Sequence, residues 1–298
     1  MQHPSDKVRL IATIVLVVFA FVTIIATPLI VKTILPEIID NQIAKFEKMS
    51  ASSDPELVKK APLIVDTPYL VSFFFPLWMA LAMFGGVVSL VIAKPFNRGE
   101  VWTKGVALLA TSMSAIAGAY MLIPWINFVG FGNGLPYPIF IALFGLIPYF
   151  WILLAEKVDG TTKLAYFLVF LALGIAAAHS FTNGHAAFRL QWMLPQRPLW
   201  PPTTWVLWLS TQFMWLGTVA LLFSIFYTGI RKKAGFYLGL IGGITVTIAN
   251  FWTHLVRGTT SDYIVGGSLG LAVVVFLMIP AFKKRLFDEA EPAYSTGE

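Results

Sequence analysis

No cysteine occurs anywhere in the 298 residues. Disulfides, thiolate metal centres, Fe–S clusters and thiol catalysis are thereby excluded. Charge is also scarce: Asp, Glu, Lys and Arg make up 12% of the chain, against about 25% in a soluble domain. What charge there is avoids the long apolar runs, and none stands near the middle of one. Ionisable groups inside a membrane mark proton relays, ion paths and ligand counter-ions. Their absence argues against a proton pump or a proton-coupled carrier, and the lack of a central Lys excludes a retinal Schiff base. Also missing are a phosphate-binding Walker loop, a dinucleotide glycine fingerprint, a His-Glu-x-x-His helix and runs of His boxes. Soluble-style catalysis has no footing, and the reading leans away from an enzyme.

What remains is apolar. The chain is 57% hydrophobic with a mean hydropathy of +0.77, which points to lipid as its solvent. A helix needs roughly 20 apolar residues to cross a core about 30 Å thick. Uncharged stretches of that size are Leu10–Val31, Thr67–Ala93, Gly105–Ala155, Leu164–Phe181, Thr203–Ile230, Ala234–Val256 and Tyr263–Phe282. The third is long enough for two spans and is broken by "IPWINFVGFGNGLPYP". The expected fold is therefore all-α, a polytopic transmembrane bundle of about eight helices. The first segment is too long for a signal-peptide core and reads as a retained anchor.

Orientation follows from Lys and Arg. With the N-terminus inside, the inner segments hold 13 of the 21 basic residues. The bias predicts a multi-pass cell-membrane protein with both termini cytoplasmic. The net charge of +6 is spread in short clusters between apolar runs, so the expected partner is the lipid bilayer, with other membrane subunits open and no nucleic acid.

The loop lengths repeat. Residues 1–156 give four spans with a long outer loop at 32–66. Residues 157–286 give four more with a Trp/Pro-rich outer loop at 182–202, and 287–298 read as a cytoplasmic tail. An even number of spans per half would make the relation a parallel 4+4 pseudo-repeat within one membrane domain. In the first outer loop, Ile39, Ile43 and Phe46 predict the apolar face of a short amphipathic helix. Asp54 and Pro55 predict a second helix start. The small-residue stripe Gly235, Gly239, Gly242 and Gly243 predicts close helix packing.

Candidate functional residues gather on the expected outer side. "AAAHSFTNGHAAFR" carries His179, Asn183, His185 and Arg189, and "ANFWTHLVRG" carries Asn250, His254 and Arg257. Neutral imidazoles suit zinc, copper or haem iron, so His179, His185 and His254 are candidate metal or haem ligands. His179, Asn183, Arg189, Asn250 and Arg257 could equally line a pocket for a quinone headgroup or another small ligand. The plain alternative is interface anchoring. "NFWTH" is similar to the Asn-x-Trp-x-His pattern in the third subunit of copper membrane monooxygenases. That resemblance covers five residues and lacks the acid-x-x-x-His partner motif. Tryptophans crowd the same side, six of the ten lying between Trp192 and Trp252, as membrane-interface belts do.

Three function classes fit. The first is a non-enzymatic membrane component: a complex subunit, an assembly factor or a binder of lipid or apolar ligand. The second is a redox anchor holding haem, metal or quinone at the outer histidines. The third is a transporter of a neutral small molecule, with helix breaks at Pro28, Pro76, Gly85, Gly86 and Pro148. The first agrees best with the lack of catalytic and coupling residues.

Overall fold

The computed structural model describes residues 6–65, 67–192, 205–257 and 260–288, and among these the chain is helical with no strand. The helices are α1 (Asp6–Ser50), α2 (Pro55–Lys60), α3 (Thr67–Asn97), α4 (Val101–Phe128) and α5 (Pro138–Leu154). They continue with α6 (Gly160–Trp192), α7 (Trp205–Gly229), α8 (Lys233–Arg257), α9 (Asp262–Met278) and α10 (Pro280–Lys283). Six of them, α1, α3, α4, α6, α7 and α8, are long and apolar enough to cross a membrane. The bent pair of α9 and the following segment would make a seventh, and the apolar α5 is shorter, at 17 residues. The bend of 68° falls at Pro280 rather than leaving one continuous helix to Phe282. Proline has no N–H to donate and disfavours helical geometry at Ile279 before it.

One apolar side of α1 is left uncovered. Ile14, Val18, Phe21, Ile25 and Leu29, spaced by four and three, are all more than half exposed. Such a stripe is costly in water and is the natural surface in hydrocarbon.

Two expectations about the connections are corrected. α1 does not end near Val31 but runs on to Ser50, through Pro28 and Pro36. At 1.5 Å per residue its 45 residues reach about 67 Å, roughly twice the hydrocarbon thickness. The reason is that its buried face never breaks: Thr23 and Thr27 are followed by Ile34, Ile38 and Gln42, all at helical spacing. The buried face is thus not the Ile39/Ile43/Phe46 stripe, since Ile43 is exposed. α2 does start as expected, with Asp54 Oδ1 accepting from the Glu56 N–H at 2.9 Å and Pro55 in the first turn.

Likewise α6 passes its expected end at Phe181 and continues to Trp192, because no proline or glycine pair interrupts it. His185 therefore lies inside a helix instead of beyond one. The remainder of the Trp/Pro-rich loop at 193–204 lies outside the described residues, as do the side chains of Trp192, Trp205 and Trp208. Phe287, expected in the tail, is buried against Phe236 at 5.6 Å between ring centres.

α1 packs on α3, α3 on α4, α4 on α5, and α5 returns to α1. In the same way α6 packs on α7, α7 on α8, α8 on α9, and α9 returns to α6. The two rings meet where α4 lies against α6 and α7, with α5 beside α6. Missing side chains make these approaches possible. A Cβ on Gly118 would stand 2.2 Å from the Ala142 nitrogen, and one on Gly105 would stand 2.6 Å from the Phe226 carbonyl. In α8 the glycine stripe behaves as expected: Gly235, Gly239, Gly242 and Gly243 are all buried.

Candidate functional site

The helix directions give the bundle two unlike ends. One carries the α3–α4, α5–α6 and α7–α8 connections with their Lys and Arg, and is called the basic end here. The other carries the α4–α5 and α8–α9 turns and most of the histidines, and is the aromatic end.

At the aromatic end, His179 and Asn183 are one helical turn apart on α6 and both reach the start of α9. His179 Nε2 donates to the Asp262 carbonyl at 2.9 Å, and Asn183 Nδ2 donates to the same carbonyl at 3.0 Å. A carbonyl only accepts, so this contact places the ring proton of His179 on Nε2. Asn183 Nδ2 also donates to Asn250 Oδ1 at 2.7 Å, while Asn250 Nδ2 donates to the Val246 carbonyl at 2.7 Å. Both amides are buried. Space for the pair comes from Gly266, where a Cβ would fall 2.4 Å from Asn250 Oδ1 and 2.8 Å from Asn183 Nδ2. The result is a satisfied polar junction of α6, α8 and α9, which is what buried amides in lipid require.

The other expected site residues go elsewhere. His254 Nδ1 donates to the Thr260 carbonyl at 3.2 Å, closing the α8–α9 turn. Arg257 donates to the Tyr263 hydroxyl at 2.8 Å and lies over that ring. His185, six residues beyond His179 and so on another face of α6, turns toward the first ring of helices. There its Nδ1 is hydrogen-bonded to the Tyr120 hydroxyl, and its ring packs 4.6 Å from Phe74. Arg189 is in the last turns of α6, and its side chain lies outside the described residues. Asn183, Asn250 and His179 are thus brought together, while His185 is not among them. Among the described residues no group of three or more His, Asp or Glu side chains could hold a metal ion.

Around His185 the seam between the two rings is filled with aromatics. Phe74 and Trp78 come from α3, Tyr120 from α4, Phe181 and Phe188 from α6, and Trp215 from α7. Phe181 stacks on Trp215 at 5.7 Å and meets Trp78 edge-on at 4.6 Å. Rings at these separations are in direct contact, so the seam is a packed wall.

The basic end holds an arrangement that no local motif announces. Lys104 at the start of α4, Glu156 after α5, Tyr166 on α6 and Arg231 after α7 converge on one another. Lys104 Nζ donates to Glu156 Oε1 at 2.5 Å, and Arg231 Nη2 donates to Oε2 at 3.1 Å. The Tyr166 hydroxyl donates to the same Oε2 at 2.9 Å and accepts from Arg231 Nε at 2.7 Å. The three charged side chains are only 16–19% exposed. Burial alone would push the Glu156 carboxyl up, but the Lys104 ammonium, then Arg231 and the Tyr166 hydroxyl, outweigh it and hold it below its ordinary value. Arg231 has a φ of 55°, a left-handed conformation that a non-glycine residue keeps only where surrounding bonds over-determine it.

Lys104, Glu156 and Arg231 line a cavity of about 150 Å³, roughly ten times what one ordered water needs. Val8, Arg9 and Ala12 of α1 and the Phe96–Val101 turn form its other side. Exposed Glu100 and Lys157 stand at the rim. Nearby, Asp159 caps α6 through Thr161 and Thr162 and pairs with Arg285 at 2.6 Å.

The fold and these two ends define an all-helical protein with several helices fit to cross a membrane. No family model, curated protein or solved structure matches the chain.

Proposed function

We propose that the chain is a non-enzymatic, eight-span component of the cell membrane, built as a parallel 4+4 repeat, whose working surface is a ligand site at its basic end. The observation that carries this is the cavity itself. It lies where the two rings of helices meet, and it places buried charges beside a void. Elsewhere buried polar groups such as Asn183 and Asn250 pair with one another. Its apolar lining by Ala12, Phe96, Ile152 and Ile230 suits an amphipathic ligand. The similar packing order of the two rings supports the repeat. The positive-inside bias supports a cytoplasmic basic end and cytoplasmic termini.

The outer-histidine redox reading has less support, because His185 turns away to Tyr120 and no group of three or more His, Asp or Glu side chains among the described residues could hold a metal ion.

Native mass spectrometry of the purified protein tests the proposal. A small amphiphile should be retained by the wild type and lost from Ala155→Phe, which fills the cavity. A Soret band, or metal at one equivalent, would replace this reading with the redox anchor.

A further inference from the structure

We infer that the basic-end cavity takes a phosphate-bearing group of net negative charge, unlike a zwitterionic phospholipid headgroup, with Arg9, Lys104 and Arg231 as its readers. This rests on the cavity being a ligand site, and it adds the charge and chemistry of what enters.

The first support is charge. Arg9, Lys104, Lys157 and Arg231 line the cavity against only Glu100 and Glu156. Glu100 is exposed and accepts from Trp102 Nε1 at 2.9 Å. In the buried part, therefore, Lys104 and Arg231 share the Glu156 carboxylate, while Arg9 pairs among the described residues with Asp6 at the surface. An uncompensated buried cation is costly, and an entering anion removes that cost.

The second support is a surplus of donors. Glu156 has both oxygens engaged, Oε1 by Lys104 and Oε2 by Arg231 and Tyr166. An ammonium has three N–H donors and a guanidinium five. Lys104 uses one on Glu156, and Arg231 Nη1 makes no hydrogen bond among the described residues. Arg9 Nε is buried and likewise has no partner among them. A phosphate group supplies several strong acceptor oxygens to such donors, and guanidinium and ammonium groups are its usual partners.

The third support is placement. Arg9 comes from α1, Lys104 from α4 and Arg231 from the α7–α8 turn, so both rings contribute. Gly99, at φ +81°, leaves room for the Arg9 guanidinium, since a Cβ there would stand 2.8 Å from Nη1. Arg9's one ion pair among the described residues is with Asp6, whose side chain is 94% exposed and readily displaced. The apolar walls continue behind the charges, as a lipid phosphate with its glycerol and first methylenes would need.

The experiment uses the full chain in phosphatidylcholine nanodiscs, reading thermal midpoint and retained lipid after adding phosphatidylglycerol or, separately, soluble glycerol 3-phosphate. Phosphatidylglycerol should stabilise the wild type, and Arg9→Gln should weaken its binding about tenfold, the loss of one charge-assisted contact. Arg9→Lys should restore part of it. Glycerol 3-phosphate acting equally well would support the inference with a soluble source. A zwitterionic lipid retained as tightly as phosphatidylglycerol, and lost in Ala155→Phe, would overturn it while leaving the ligand site standing. Phosphatidylglycerol binding indifferent to both Arg9→Gln and Ala155→Phe would overturn both.

Discussion

Replacing Glu156 with Gln removes the one negative charge that Lys104 and Arg231 share, and leaves two buried cations facing a neutral amide. Breaking a buried pair costs about 3–5 kcal/mol. Since these side chains are 16–19% exposed, solvent screening reduces that to about 1–3 kcal/mol here. The pH dependence has a definite sign. A carboxylate held below its ordinary value in the folded state contributes stability above about pH 4.3, and loses it as pH falls through the lower folded value. The midpoint difference between wild type and Glu156→Gln should hold steady from neutral pH to about pH 5 and close below about pH 4. Thermal unfolding in detergent across that range checks it, and a difference unchanged by acid would show that the charge is not responsible. Gly266 offers a second residue-scale test. Gly→Ala inside a helix ordinarily stabilises by up to about 1 kcal/mol. At this position the new methyl would displace the Asn183–Asn250 amide pair, so Gly266→Ala should cost about 1–3 kcal/mol of stability and lower the midpoint. Gly132→Ala, with nothing within 4 Å of the added Cβ, should leave it unchanged. If the two variants behave alike, the amide junction is not what holds α9 in place.

At the scale of elements, the legible and illegible parts of the sequence separate along one physical line. Apolar length and glycine placement are local, so most helix starts and the α8 glycine stripe could be read directly. Asn250 and Asn183 shared a predicted layer and do meet. Which face an element buries depends on neighbours. For α1 the sequence pointed to Ile39, Ile43 and Phe46, whereas the structure buries Ile34, Ile38 and Gln42. Those sets differ by one residue, or about 100° of rotation. The basic-end cluster was hidden for a stronger reason. Lys104, Glu156 and Arg231 sit in or beside three separate connections, each an ordinary boundary charge on its own. The available signal was the rarity of acids in those connections, since an acid among so many cations has a partner waiting. The α1 face gives an element-scale prediction. Ile38→Asp should speed hydrogen exchange of the amides in residues 34–48 at least about tenfold, as a buried charge unlatches the helix extension. Ile43→Asp, at an exposed position, should leave exchange there unaltered. The reverse order would restore the predicted face.

For the whole molecule, the question that governs every other is which end of the bundle meets the cytoplasm. The geometry places Lys94, Lys104, Lys157 and Arg231 together at one end, and the α1 extension with α2 at the other. Hydropathy says nothing about which end is inside, because both are equally apolar up to their boundaries. The argument comes from insertion. Lys and Arg in short connections resist translocation, and the basic end has three such connections, none longer than five residues between helices. The opposite end carries fewer: Lys32, Lys45, Lys48, Lys59 and Lys60 on the extended α1 and the segment after it, and Arg189 and Arg257 on α6 and α8. Two single-cysteine variants decide the matter, and the native chain has no thiol to confuse the result. In intact cells, a membrane-impermeant maleimide should label Lys48→Cys and spare Lys232→Cys until the membrane is opened. Labelling of Lys232→Cys from outside would reverse the orientation. The phosphate-binding cavity would then face the outer leaflet, and its lipid would have to be sought there.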